Sequence, residues 1–75
     1  MNVTTEDIRN IKPGTIKPFV CEGGRKLQTA SVLARQLKRL GMPDGVVNYE
    51  TQIFYDDNII LIHAMKEGDE KVLNR

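Results

Sequence analysis

The stretch "VVNYETQIFYDDNIILIHAM", Val46–Met65, sets two runs of β-branched, aromatic and aliphatic residues on either side of the acidic pair Asp56–Asp57. Such runs about a polar turn read as a β-hairpin. With Asp56 and Asp57 as the two turn residues, counting outward fixes the register. Ile53 then faces Ile60, Thr51 faces Ile62 and Tyr49 faces Ala64 on one side of the ribbon. The other side carries Phe54 with Ile59, Gln52 with Leu61, Glu50 with His63 and Asn48 with Met65. Both sides are rich in apolar residues, so both need cover.

One cover lies just upstream. In "GGRKLQTASVLARQLKRLGMPDGV", Gly23–Val46, the residues Leu27, Ala30, Leu33, Ala34, Leu37 and Leu40 recur every three or four positions. That spacing predicts an amphipathic helix from about Lys26 to Leu40 whose stripe, Leu40 included, meets the sheet. Gly41 is its natural terminator, with Pro43 beyond.

The chain begins with a shorter helix. Thr4 is placed to cap it with Asp7 at the third position, and Val3 and Ile8 stand at the staple positions. Pro13–Gly14 stops it. "TIKPFVC", Thr15–Cys21, then has strand composition, but Pro18 lacks an amide and assigns this strand to a sheet edge or a bulge. The order is helix, strand, helix, strand, strand: a two-layer α+β domain, a small sheet with one long amphipathic helix on one face. A winged helix-turn-helix would need two helices between Gly24 and Gly41, where there is room for one. Residues 1–66 form the single domain. Residues 67–75, "EGDEKVLNR", are charged, terminal and expected to fray.

At 75 residues the chain is one domain with a small core. Cys21 and His63 are its single cysteine and single histidine, so no internal disulfide and no zinc site of nitrogen and sulfur ligands can be assembled within one chain. No cofactor is implied. Self-association is the remaining supplement to a small core, and the hairpin's far side, with Phe54, Ile59, Leu61 and Met65, is the candidate dimer interface. The first helix is the other candidate cover for that side. No leader and no run of about 20 apolar residues is present, so the expectation is a cytoplasmic protein that does not enter membranes.

The quoted "TTEDIRNIKPG", the edge strand, "TASVLARQLKRL" and "GMPDGVVNYETQ" together resemble a set of small proteins from Bacteroidales genomes, often encoded near mobile elements. The likeness is one of layout over nearly the whole chain. It implies an α+β fold and a homodimer, and no particular biochemical activity.

Charge is close to balanced, with eleven Lys and Arg against ten Asp and Glu, but it is segregated. Five of the basic residues, Arg25, Lys26, Arg35, Lys38 and Arg39, fall in or beside the long helix. At 100° per residue Gln28, Val32, Arg35, Gln36 and Arg39 point outward together. Arg25, Gln28, Arg35, Gln36 and Arg39 are therefore candidate nucleic-acid contacts, the arginines for phosphates and the glutamines for bases. The plainer account is a solvated helix face, with Lys38 and Arg39 favoured by the helix dipole.

His63 opposite Glu50 is the one acid–base pair, but no nucleophile or oxyanion donor accompanies it by sequence, and a cross-strand pair of this kind is ordinarily structural. Cys21 reads as a small buried residue. "CEGGRK" has two glycines before a basic helix, as an anion nest does, without the pattern of a phosphate-binding loop. The leading reading is a non-catalytic homodimeric accessory or regulatory domain. The alternative is a nucleic-acid-binding module using the outer helix face. A third reading is a small-ligand protein or enzyme built around Glu50 and His63; neither the sequence nor the resemblance identifies such a ligand.

Overall fold

A computed structural model describes residues 2–73. Its elements are α1 (Thr5–Arg9), β1 (Thr15–Val20), α2 (Gly24–Leu40), β2 (Asn48–Phe54) and β3 (Ile59–Met65), with a 3₁₀ turn at Tyr55–Asp57. The fold is α+β, in the order expected.

Capping sets where α1 starts. Thr4 Oγ1 accepts the Asp7 N–H at 3.1 Å, and Asp7 Oδ2 accepts the Thr4 N–H at 2.9 Å. Hydrogen bonding to the carboxyl from the Thr4 backbone, and next from the Thr4 side chain, holds Asp7 below its ordinary pKa. Val3, Ile8 and Ile11 all enter the core, so five helical residues suffice to seal one end of it.

The sheet is antiparallel throughout, in the order β1-β3-β2. The hairpin register matches the one counted from Asp56–Asp57, from Asn48 opposite Met65 to Phe54 opposite Ile59. The turn itself spans Tyr55–Asn58. Asn58 adopts the left-handed conformation (φ 55°) and donates its N–H to the Tyr55 carbonyl, so the acidic pair occupies the centre of a four-residue loop.

β1 is an edge strand, one of the two placements Pro18 allows. Cys21 N–H reaches the Asn58 carbonyl at 2.8 Å, and bonding positions alternate along an antiparallel ladder. Pro18 therefore falls where an amide would have pointed away from β3, and its missing donor costs the sheet nothing.

α2 lies across β2 and β3. Leu27, Ala30, Ala34 and Leu37 are buried against Phe19, Tyr49, Ile60, Ile62 and Ala64, with Leu33 and Ile53 partly buried beside them. Leu40 corrects the sequence reading: it is 79% exposed. The helix ends there, with Gly41 at φ 122° donating its N–H back to the Leu37 carbonyl, and Leu37 is the last residue of the stripe to be buried.

The first helix, one of the two covers expected, does not lie on the second face of the sheet. α1 packs against α2 on the core side. Instead the chain turns back after β3, with Asp69 N–H bonded to the Lys66 carbonyl and Lys66 N–H to Asp69 Oδ2, and residues to Leu73 lie against β2 and β3. The tail for which composition predicts fraying is thus placed, as far as it is described, on the sheet; its residues 74 and 75 lie outside the described range. Among the described residues no helix is long and apolar enough to cross a membrane.

Candidate functional site

Three surfaces carry the residues singled out by sequence. The first is the Glu50–His63 pair on the second sheet face. β2 and β3 hold the two side chains opposite each other, and His63 Nδ1 lies 2.7 Å from Glu50 Oε1. Both are buried, at 8% and 5% exposure. The same Oε1 accepts the backbone N–H groups of Val72 at 2.8 Å and Leu73 at 3.2 Å, while His63 Nε2 faces Asp69 Oδ2 at 3.6 Å. Burial pushes the Glu50 carboxyl up. The hydrogen bonds from His63, Val72 and Leu73 outweigh burial and hold it below its ordinary pKa. One carboxylate oxygen therefore ties together two strands and the tail.

Val72, Leu73 and Asp69 were beyond sequence reasoning. Two of the three act at Glu50 through main-chain amides, which any residue supplies. The faint signal was Leu73, a lone leucine in a charged tail, which is buried.

The second surface is the rest of that face. Register places Val20, Ile59 and Phe54 in one row across the three strands, and Pro18, Leu61 and Gln52 in the next. These two rows hold no ionisable side chain. The tail's bonds fall on the next row, at Glu50 and His63. Val20 is 60% exposed and Phe54 39%, whereas Ile59 and Leu61 are half-buried. Of the four candidate interface residues, Phe54, Ile59 and Leu61 remain at this surface. Met65, at the far end of β3, is buried at 5% exposure.

The third surface is the outside of α2. Arg25, Gln28, Arg35, Gln36 and Arg39 are all exposed, but they do not converge. Ten residues of helix separate Arg25 from Arg35, roughly 15 Å of axis. Gln28 Nε2 donates to the Tyr55 hydroxyl at 3.3 Å, and the Tyr55 ring packs against Gly24 where "CEGG" enters the helix. The presumed nest thus carries an aromatic ring at its helical end. Cys21 is fully buried and in no disulfide.

Arg35, Gln36 and Arg39 do gather, around a depression they share with Val32. On its other flank Arg35 borders a groove of about 410 Å³ between α2 and β2, lined also by Ser31, Lys38, Thr51 and Lys71. Lys38 and Lys71 in one groove is a juxtaposition the sequence could not give, since the tail supplies one of them. Among the described residues no group of three or more His, Cys, Asp or Glu is placed to hold a metal ion. Comparison with known proteins found no matching family model, no matching curated protein and no matching solved structure.

Proposed function

We propose that the chain is a small, non-catalytic interaction domain that self-associates through the open half of its sheet. The observation that carries this reading is the uncharged patch of Val20, Ile59, Phe54, Pro18, Leu61 and Gln52, left beside the tail on a face that the tail covers only in part. A sheet face of this composition is stabilised by burial against a second apolar face, and a twofold dimer supplies an identical one. The Glu50–His63 pair supports the non-catalytic side of the proposal: its shared carboxylate oxygen is already occupied by three donors that hold the fold together. A cytoplasmic accessory or regulatory role, of the kind its layout resemblance to proteins encoded near mobile elements implies, is part of the same proposal.

The patch is two rows deep. Strands about 4.8 Å apart and rows about 7 Å apart make it smaller than the roughly 800 Å² per partner of a standard interface. The dimer is accordingly weak and concentration-dependent. Sedimentation equilibrium from about 10 μM to 1 mM, a range bracketing weak association, should show average mass rising toward twice the monomer. Leu61→Glu should hold it at the monomer value. A wild type that stays monomeric across that range removes the proposal.

A further inference from the structure

We infer that the groove between α2 and β2, together with the adjoining outer face of α2, binds the phosphate backbone of a single nucleic-acid strand. Arg35 and Lys38 from α2 and Lys71 from the tail converge on this groove, with Ser31 and Thr51 hydroxyls 3.1 Å apart on its wall. Cations from two elements 33 residues apart in sequence, Lys38 and Lys71, meet here only because the tail is folded onto the sheet.

Three observations separate this surface from a merely soluble helix face. The 17 residues of α2 include no acid, and the Lys26–Glu22 ion pair lies at the end of the helix away from the groove. Arg35 and Lys38 make no ion pair with a described residue. The helix dipole accounts for basic residues in the last turn, Lys38 and Arg39, but its effect falls off before Arg35. The one acid in the groove is Glu50, whose Oε1 is taken by His63, Val72 and Leu73.

The shape selects a strand over a lone phosphate. Arg35 is the shared lip of the groove and of the depression lined by Val32, Gln36 and Arg39, and a further hollow at Gln36, Arg39 and Leu40 prolongs it. Lys71, Lys38, Arg35 and Arg39 thus form a strip longer than one phosphate needs and shaped to follow a chain of them. On α2 the spacings from Arg35 to Lys38 and to Arg39 are the i,i+3 and i,i+4 intervals that bring side chains together on one surface. No exposed aromatic ring lines the groove for bases to stack on, so binding is to the backbone and indifferent to sequence.

Fluorescence anisotropy of the full chain with a labelled oligothymidylate tests this. About three contacted phosphates give a slope of log affinity against log salt near −2, hence a loss of roughly 20-fold between about 50 and 200 mM salt. Arg35→Gln with Lys38→Gln should reduce the slope by about 1.4, with helix content unchanged by circular dichroism. Arg25→Gln, at the distant end of α2, should have little effect by comparison. Leu61→Glu should also bind normally, which separates this inference from the sheet-mediated dimer. Absence of binding at low salt, or binding that the double variant retains in full, overturns the inference. Preference for duplex, or inorganic pyrophosphate bound as tightly as the oligonucleotide, overturns the assignment to a single strand.

Discussion

His63 Nδ1 and Glu50 Oε1 meet at 2.7 Å across the β2–β3 hairpin, and that same oxygen receives the Val72 and Leu73 amides. A cross-strand pair on a half-exposed sheet would ordinarily contribute little. Here the pair is buried and its acceptor is an ionised carboxylate, which makes stronger, shorter bonds than a neutral oxygen.

The tail should therefore depend on the Glu50 charge. Glu50→Gln keeps the shape and one acceptor oxygen but weakens three charge-assisted bonds, an expected loss on the order of 1–3 kcal/mol. Urea denaturation measures the total. Hydrogen exchange at Val72 and Leu73 locates it, since those amides should exchange faster while those of β3 stay protected. Unchanged stability together with unchanged exchange at the two amides would show that the tail is held by something other than this carboxylate.

Acid should reproduce the substitution. Because the folded-state pKa of Glu50 lies below its unfolded value, its stabilising contribution is complete above the unfolded range near about 4.3 and disappears as pH falls through the folded value. Asp7, held low by its bonds with Thr4, adds a loss of the same sign at the other end of the molecule. Amide spectra recorded from about pH 6 to pH 3 should show Val72 and Leu73 shifting with Glu50 in the wild type. In Glu50→Gln that step should be absent while the Asp7 step near Thr4 persists. A step at the tail that survives the substitution assigns it to a group other than Glu50.

What could be read from the chain was whatever side-chain pattern carries. The hairpin register followed from Asp56–Asp57 because pairing propagates outward from a turn with no freedom left, and a one-residue slip would have exchanged both faces. Pro18 narrowed its strand to a sheet edge or a bulge because a missing donor is tolerated there, and the edge is where it lies. The tail was invisible for the opposite reason: it binds Glu50 through main-chain amides, and its acids and lysines look like those of any solvated terminus. Lys71 came to the basic groove by the same hidden route.

Periodicity misled at Leu40, since a repeat of three and four marks a helix face without saying where the facing sheet ends. The two leucines nearest the end of α2 should therefore respond differently. Leu37, at 1% exposure, should cost about 2–5 kcal/mol on replacement by Ala. Leu40→Gln, at 79% exposure, should stay within about 0.5 kcal/mol of the wild type. Paired denaturation curves decide it. A large loss at Leu40 would mean that its side chain is covered in solution.

Tyr49 tests the core from the polar side. It is 1% exposed beneath α2, and its hydroxyl is buried with no hydrogen-bond partner among the described residues. Burial accordingly pushes the phenol above its ordinary pKa, with the Arg9 charge opposing the shift. Tyr hydroxyls in cores are usually satisfied, and deleting a satisfied one costs about 1 kcal/mol. Here the hydroxyl has been taken from water without a bond to offset it, so removing it relieves a desolvation penalty while the ring continues to fill the same space. Tyr49→Phe should leave stability unchanged or raise it by up to about 1 kcal/mol, measured as a shift in urea midpoint at constant slope. A drop of 1 kcal/mol or more would show that the hydroxyl finds a partner in solution.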